Sequence, residues 1–298
     1  MRGLLLSACV IEVFGSMSRP ASRSPKPQAI AKFDTPPETG IDVSAAAASV
    51  LSEDEGPESF DWLRHWYPVN VLDTMDPTRP HAVQLLGLNL VAWNDGVTVD
   101  GTKQLGQWRV FEDACPHRLG PLSEGRVEED GNLLCSYHGW RFDGDGACAS
   151  LPYAQSGVEK RLCGSCRSRV ASYPAREADG LLFVFPYSGA DAEDVADAVP
   201  LPLISELHDP KNEGRWKWKI PAGVRDFPCG WDAMVENTLD PAHFCAAHHG
   251  TLGNRYADPQ PYHMQITSAV ALEEGFAVDG ELGRLEFKPP CLVKYAPN

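Results

Sequence analysis

Two short strings of cysteine and histidine constrain this chain more than any other feature of its sequence. Cys115-Pro-His117 is followed, after seventeen residues, by Cys135-Ser-Tyr-His138. Thiolate and imidazole are common metal ligands, and two such pairs on separate tight loops can enclose a small metal centre. One tetrahedral zinc ion accepts the same four ligands, but zinc-finger sequences place both cysteines before both histidines. The order found here favours a two-iron cluster, with zinc as the alternative.

The composition is that of a folded protein and excludes several classes of function. The 298 residues are 43% hydrophobic and 22% charged, which suffices for about two domains with buried cores. The formal net charge of −15 would repel a phosphate backbone, so nucleic acid is not expected as a partner. The longest stretch without Asp, Glu, Lys or Arg is 80–94, shorter than the ~20 residues that a membrane-spanning helix needs. We therefore expect no membrane span in this chain.

The first 58 residues differ in composition from the rest. Residues 1–33 contain five basic residues and a single acid, Glu12, which is typical of an organelle transit peptide. Residues 34–58 contain prolines, a run of alanines and several acids, which is typical of a linker. The sequence predicts an organelle transit peptide and a disordered linker over 1–58, with a disordered terminus of accidental composition as the alternative.

The cysteine content argues against a secreted disulfide scaffold. The chain has nine cysteines, an odd number, at irregular spacing. Metal or redox chemistry in a reducing compartment is the better interpretation. Cys163-Gly-Ser-Cys166 is a CxxC string, but it lacks the helix-opening context and the βαβ pattern of a redox-active dithiol. We interpret that spacing as incidental.

The pattern between residues 59 and 190 predicts an all-β domain. Short segments rich in aliphatic and aromatic residues are separated by breaks that contain Gly, Asp and Pro, as in antiparallel sheets. The predicted segments are 82–93, 107–112, 133–137, 140–142 and 181–185. Asp143-Gly-Asp-Gly146 predicts a hairpin turn, because Asp and Gly tolerate positive φ. Residues 191–210 are predicted to connect this domain to the next.

The pattern changes over residues 211–298. Period-two alternation at 215–220 predicts a half-buried strand, and 231–248 has a helical pattern. Asp240-Pro241 is a start signal inside that helical region, because Asp caps free amides and Pro fits the first helical position. The last fifty residues return to strand-like alternation. We interpret 211–298 as the start of an α+β domain.

Three strings carry a family resemblance. Cys-Pro-His-Arg-Leu-Gly from Cys115, Leu-Ser-Glu-Gly from Leu122 and Tyr-His-Gly-Trp-Arg-Phe from Tyr137 resemble oxygenase-type Rieske domains. The resemblance implies a [2Fe–2S] cluster in which two cysteines hold one iron and two histidines the other, reduced by a ferredoxin or a reductase. Cytochrome-complex Rieske proteins add one cysteine to each cluster loop. Gly120 and Tyr137 occupy those places here, which indicates the oxygenase branch.

Three arginines, Arg118, Arg126 and Arg141, flank the cluster strings. They offer positive charge to an acidic electron donor. Ion pairs with nearby acids are the simpler interpretation, because exposed arginines commonly form such pairs.

A second constellation follows the Rieske-like part. Asp240, His243 and His248 lie in the string Asp-Pro-Ala-His-Phe-Cys-Ala-Ala-His. Non-haem Fe(II) oxygenases bind iron through two histidines and one carboxylate. Residues five apart on a regular helix point ~140° apart, so a shared metal requires a π-type bulge or a break. From spacing alone, His249 could replace His248, or all three histidines could be ordinary polar residues.

The Rieske resemblance gives these residues specific roles. In that family, the positions of His243 and His248 ligate the mononuclear iron, and the position of Asp240 links a cluster histidine of a neighbouring subunit to an iron-ligating histidine. The family arrangement implies a head-to-tail ring, a homotrimer. A helix cap alone is the simpler role for Asp240.

The string Glu236-Asn-Thr-Leu-Asp-Pro-Ala-His narrows the resemblance to the chloroplast branch that includes pheophorbide a oxygenase. That branch implies an oxygenase acting on a tetrapyrrole such as pheophorbide a, associated with the envelope or the thylakoid. The alternatives are an electron-transfer or import-associated chloroplast protein without turnover, and a hydroxylase of another small molecule.

The third iron ligand is not identified by the sequence. In the family it comes from further downstream than Asn298, so we expect weak iron binding at the two histidines and little turnover by the chain as written. Asp258 or Asp279 as the third ligand is the alternative. Iron titration tests this alternative. Tight binding of one extra Fe(II) per chain, lost on Asp258→Ala or on Asp279→Ala, would show that the substituted aspartate is the third ligand.

The cluster assignment predicts a spectroscopic signature. Anaerobically reconstituted protein should give a rhombic EPR signal on reduction, because thiolates and neutral imidazoles divide the two irons asymmetrically. Cys135→Ala should abolish the signal. Colourless protein with one zinc ion per chain would contradict the assignment.

Overall fold

The computed structural model describes the chain from Phe60 to Pro297. Within that range the described residues exclude 156, 212–229, 241–242, 252–253, 257–262, 269, 272–273 and 281–282. The predicted transit peptide and linker over 1–58, and the predicted strand at 215–220, lie outside the described residues.

Strands account for most of the regular structure. In chain order, β1 to β9 are Tyr67–Val71, His81–Leu85, Leu88–Asn94, Thr98–Val99, Thr102–Lys103, Trp108–Glu112, Arg126–Val127, Leu133–Leu134 and Arg141–Phe142. The strands β10 to β17 are Cys148–Ser150, Ser172–Tyr173, Ala175–Ala178, Leu181–Val184, Met264–Ile266, Phe276–Gly280, Gly283–Lys288 and Leu292–Pro297. Every strand pairing among the described residues is antiparallel.

Five short α-helices interrupt the strands in the part of the chain that is described. In chain order, α1 to α5 are Val158–Cys163, Ala192–Asp197, Ser205–His208, Trp231–Leu239 and His243–Ala247. One of them, α1, lies within the predicted all-β domain at 59–190, and the other four follow it. That domain is therefore mostly β, with one short helix, and a mixed α and β region follows it as predicted.

The strands form four main sheets and one small hairpin. The orders are β1-β13-β12, β11-β6-β3-β2, β10-β9-β8-β7 and β14-β15-β16-β17, and β4 pairs with β5. The sheet β10-β9-β8-β7 is called the loop sheet below, because the two cysteine-containing loops adjoin its strands. These loops lie between β6 and β7 and between β8 and β9.

Strand β3 is buried on both faces and separates two cores. Successive side chains on a strand point to opposite faces. Leu90 and Ala92 pack in a core with residues of β1, β6 and β13, whereas Val91 and Trp93 pack in a second core with the loop sheet. This second core, called the cluster core below, consists of Val91, Trp93, Phe111, Cys115, Leu122, Leu133, Cys135, Phe142 and Val170.

One predicted strand is two strands. The sequence pattern predicts one continuous segment over 82–93, but Leu86 and Gly87 turn the chain between β2 and β3. Both residues have positive φ, +50° and +82°. A two-residue turn with positive φ at both positions matches the twist of a hairpin, whereas leucine gives little sequence signal for it. The prediction of a single segment was therefore wrong.

The turn predicted at Asp143 is present between β9 and β10. The amide of Gly146 donates to the carbonyl of Asp143 at 3.0 Å, and Gly146 has φ of +77°. The Asp143 carboxylate accepts from the amides of Asp145 and Ala147 at 3.0 and 2.8 Å. This aspartate therefore fixes the turn that brings β10 beside β9.

The connection at 191–210 packs on the domain before it. The indole of Trp66 donates to the carbonyls of Ala196 and Val199, at 3.2 and 2.9 Å. Ala196 is fully buried in a third core with Leu181 and Phe183 of β13. The segment is thus an ordered strap rather than an extended linker.

The described residues after 230 form two helices and a four-stranded sheet. Leu285, Phe287 and Val293 of the sheet pack with Val235 of α4. Lys294 forms ion pairs with Glu286, at 3.1 Å, and with Glu206 of α3. No helix in the described part of the chain is long and apolar enough to cross a membrane.

One cysteine pair differs from the sequence expectation. Cys148 on β10 forms a disulfide with Cys163 at the end of α1. Cys163 is therefore paired across fifteen residues of chain and not with Cys166, whose thiol is free and exposed. The interpretation of the CxxC spacing as incidental agrees with this pairing, but the structure does contain a disulfide.

The cluster core makes a testable contribution to stability. Phe142→Ala removes a fully buried ring and should lower the free energy of unfolding by about 3–5 kcal/mol, from lost burial and the cavity left behind. Val99→Ala, at a site 50% exposed, should change it by less than about 0.5 kcal/mol. Urea unfolding followed by near-ultraviolet circular dichroism measures both. Equal losses of unfolding free energy in the two variants would contradict the placement of Phe142 in the cluster core.

Candidate metal centres

The two cysteine-containing loops close with the same backbone hydrogen bonds. In the first loop, the Cys115 amide donates to the Gly120 carbonyl at 2.9 Å and the Leu119 amide to the Cys115 carbonyl at 2.8 Å. In the second, the Cys135 amide donates to the Trp140 carbonyl at 2.8 Å and the Gly139 amide to the Cys135 carbonyl at 2.9 Å. Each loop therefore spans six residues, counted from its cysteine. The histidine follows the cysteine by two residues in the first loop and by three in the second.

The fifth residue of each loop has positive φ. It is +56° at Leu119 and +70° at Gly139. Glycine adopts this conformation without cost, whereas a leucine there is uncommon and is held by its surroundings. The sequence signal for this closure was Gly139 in the second loop, and the first loop carries no such signal.

The loops bury two cysteines side by side. Cys115 and Cys135 are 2% and 1% exposed, and their thiols are in hydrogen-bonding contact. Burial, together with the neighbouring Cys135 thiol, raises the pKa of Cys115 to about 12, although the amides of His117 and Arg118 donate to its sulfur and oppose the rise. Two thiolates are costly here unless a cation compensates their charge.

The two histidines form a second pair. The rings of His117 and His138 have centroids 4.6 Å apart. Trp140 stacks on His117 at 4.8 Å and 5° between planes, and Tyr137 contacts His138 at 3.9 Å. Burial, His138 and Arg118 lower the pKa of His117, which favours the neutral imidazole that metals bind.

Gly120 and Tyr137 face each other across the two loops. A Cβ atom at Gly120 would lie 3.3 Å from Cβ and Cδ1 of Tyr137 and 3.8 Å from Sγ of Cys135. The positions at which cytochrome-complex proteins carry extra cysteines are thus adjacent here, and the tyrosine ring fills the space.

Charged side chains anchor the loops. The Asp113 carboxylate accepts from the amide and hydroxyl of Ser123 at 2.7 and 2.6 Å. Arg141 pairs with Glu128 and Asp130 at 3.0 and 3.2 Å. The prediction of a local ion pair is thus confirmed for Arg141.

A two-metal centre fits this donor set better than one zinc ion. Nδ1 of His117 is buried and has no hydrogen-bond partner within the described structure, as expected of a nitrogen reserved for a metal. A thiol pair and an imidazole pair are what two separately ligated irons require.

The second pair of histidines lies where a helix ends. α5 begins at His243 and ends at Ala247, just before His248. The two rings have centroids 5.2 Å apart. The predicted requirement for a bulge or a break is thus met by a break. His249, the alternative ligand, accepts from the Arg255 amide at 3.2 Å and contacts the ring of Tyr256.

Asp240 lies between α4 and α5 with its backbone extended. Its carboxylate is 3.7 Å from Nδ1 of His243, and its carbonyl oxygen is hydrogen-bonded to the same nitrogen. Asn237 contacts the other ring nitrogen of His243 at 3.5 Å. Asp240 and Asn237 together orient this imidazole. Pro241, the other half of the predicted start signal, lies outside the described residues.

The third ligand is not identified by the structure. Asp258 lies outside the described residues. Asp279 is described, and both of its carboxylate oxygens accept from Arg284 at 3.1 and 3.2 Å. It is therefore engaged in an ion pair on the sheet β14-β15-β16-β17.

Comparison with known proteins adds a family to this geometry. Residues 65–174 match the Rieske [2Fe-2S] domain. Pheophorbide a oxygenase, chloroplastic, from Oryza sativa subsp. japonica is 39% identical over 220 residues, which is 73% of this chain and 39% of that protein. Protochlorophyllide-dependent translocon component 52, chloroplastic, from Arabidopsis thaliana is 36% identical over 210 residues, 69% of this chain and 34% of that protein.

This chain thus spans between a third and two fifths of the length of these relatives. Among solved structures, dicamba monooxygenase bound to 3,6-dichlorosalicylic acid has a TM-score of 0.56 at 22% identity, covering 76% of this chain and 58% of that one. At this identity, the similarity establishes a shared fold.

The stacked Trp140 ring yields a prediction about the first centre. Trp140→Leu removes the surface against which the His117 ring rests, so we expect the reconstituted cluster to be lost to a chelator about ten times faster. Tyr153→Leu, at a site 87% exposed, should leave the rate unchanged. The decay of cluster absorbance measures both rates, and equal rates would show that the stack does not orient the ligand.

Proposed function

The chain belongs to the Rieske oxygenases, in the branch that includes pheophorbide a oxygenase, and on that premise we propose that it takes up electrons at a [2Fe–2S] cluster and delivers them to a mononuclear iron for O₂ activation. One observation carries the proposal: two loops with identical closure bring two thiols and two imidazoles together, and leave a buried imidazole nitrogen without a hydrogen-bond partner in the described structure. Such a nitrogen is expected of a metal ligand.

Four side chains would hold the cluster. Cys115 and Cys135 would bind one iron, and His117 and His138 the other. When bound, the cluster supplies one-electron transfer and the mononuclear iron supplies O₂ chemistry. The amides that donate to the Cys115 sulfur would stabilise its thiolate, and Trp140 would keep the His117 ring in place.

Three residues would serve the mononuclear iron. We assign His243 and His248 as ligands, because the end of α5 brings their rings together. Asp240 would orient His243, since its carboxylate and its carbonyl both approach one ring nitrogen. In a head-to-tail trimer, the same carboxylate would also meet a cluster histidine of a neighbouring subunit.

The names of the relatives support a substrate class and a location. The rice relative is named as a chloroplastic pheophorbide a oxygenase, which supports a tetrapyrrole substrate and a plastid location for this chain. A ferredoxin or a reductase would supply the electrons. The reaction on the substrate would be an oxygenation.

A second function has its own support. A relative with 36% identity is named as a translocon component. An electron-transfer or import-associated protein would retain the cluster and lack oxygenase turnover.

Oxygen uptake separates the two functions. With reduced ferredoxin and Fe(II), we expect only slow uptake of O₂, in line with weak iron binding at the two histidines, and this uptake should depend on added pheophorbide a. His243→Ala should abolish it while leaving the cluster EPR signal intact, because it removes an iron ligand far along the chain from the cluster loops. His249→Ala, at the neighbouring histidine, is the matched control and should retain it. Oxidation of the cluster without pheophorbide-dependent uptake would favour the carrier.

A further inference from the structure

A basic patch lies on one flank of the cluster loops. It consists of Lys160 and Arg161 on α1 and Arg167 and Arg169 just after it, all exposed. Four of the 26 basic residues of the chain thus fall within ten positions, in a protein of net charge −15. The acid that immediately precedes them, Glu159, is half-buried and accepts from the Leu151 amide at 2.8 Å.

The charges of the basic patch are not neutralised locally. Several other cations of the chain pair with acids, as Arg176 does with Glu193 and Asp197 at 2.7 and 2.8 Å. None of the four patch side chains lies within ion-pair distance of a carboxylate from the described residues; Arg169 donates to the carbonyl of Asp145 at 2.7 Å. Unpaired exposed cations project a positive field beyond the surface.

The patch is connected to the second cluster loop. α1 packs on β10, and β10 pairs with β9, which directly follows Trp140 of that loop. Pro152, between β10 and α1, packs on Gly139: a Cβ atom at Gly139 would lie 3.0 Å from Cγ of the proline. A protein held on the patch would therefore sit beside the ligand loop that carries His138.

The basic patch is held in place by covalent and hydrogen-bonded links and not by buried side chains of α1. α1 contributes no buried side chain. Instead, the Cys148–Cys163 disulfide joins its last residue to β10, and the hydroxyl of Ser168 donates to the Leu162 carbonyl at 2.7 Å. These links fix the basic side chains relative to the loop sheet.

We propose that the basic patch is the docking surface for an acidic, soluble electron-transfer protein that reduces the cluster. The inference rests on the proposed function, in which electrons enter at the cluster. Redox partners form small transient interfaces, and complementary charge raises their rate of association. Nucleic acid, the other polyanion, is disfavoured by the net charge of −15.

Binding of a redox-inert partner tests the patch without turnover. We would titrate the reconstituted full chain with a gallium-substituted plant-type [2Fe–2S] ferredoxin at low ionic strength. Lys160→Glu with Arg161→Glu should raise Kd about tenfold, and the difference should shrink below about twofold at high salt, because exposed charges are screened. Lys160→Arg with Arg161→Lys should keep the wild-type Kd.

A charge-matched variant controls for net charge. Lys211→Glu with Lys288→Glu makes the same change at two exposed sites outside the patch and should alter Kd less than about twofold. An equal loss of affinity in both double variants would overturn the proposal. So would a patch variant that leaves ferredoxin binding unchanged but dissociates the chain in sedimentation, because the patch would then contact a second copy.

Cluster reduction distinguishes failure of the patch from failure of the proposed function. Stopped-flow reduction by native ferredoxin should slow about tenfold in the patch variant, while reduction by photoreduced deazaflavin, a small neutral donor, should not change. Equal ferredoxin rates would overturn the docking surface and leave the oxygenase assignment standing. A chain that assembles no cluster would refute both.

Discussion

The backbone hydrogen bonds that close the two cysteine loops are the interaction on which the rest of the site depends. Each cysteine uses both its amide and its carbonyl to fix a six-residue loop, so its side chain is directed into the cluster core. The closure requires positive φ at Leu119 and Gly139. The strands β6 to β9 hold the loop ends. Hydrogen bonds from Ser123 to Asp113 brace the first loop, and the Arg141–Glu128 ion pair links β9 to the segment after β7.

The pocket between the two loops is energetically unfavourable for the four side chains proposed as cluster ligands. Burial raises the pKa of Cys115 to about 12, and the two thiols adjoin each other. A buried polar atom without a partner, such as Nδ1 of His117, costs about 1–3 kcal/mol. A bound cluster would relieve each of these costs, so cluster assembly and domain stability should be coupled.

The basic patch and the histidine pair at the end of α5 lie in different parts of the chain and have different electrostatic surroundings. The chain is acidic overall, whereas the basic patch beside the second cluster loop is unpaired among the described residues. The histidine pair at the end of α5 is instead oriented by Asp240 and Asn237, in a region with its own sheet. Electron entry and oxygen chemistry are thus proposed for separate parts of the chain, which fits a relay between two metal centres.

Features that depend on residue type and local periodicity could be predicted from the sequence. The ligand strings, the all-β pattern, the turn at Asp143 and the need for a helix break between His243 and His248 all followed from residue type and spacing. Contacts between residues distant in sequence could not be predicted in this way. The Trp140 stack on His117, the Cys148–Cys163 pair and the hairpin at Leu86 depend on how strands align, and a leucine with positive φ carries no signature. The sequence by itself therefore determined which groups could bind metal, and the tertiary structure decided their pairing, burial and orientation, because those depend on packing between distant segments.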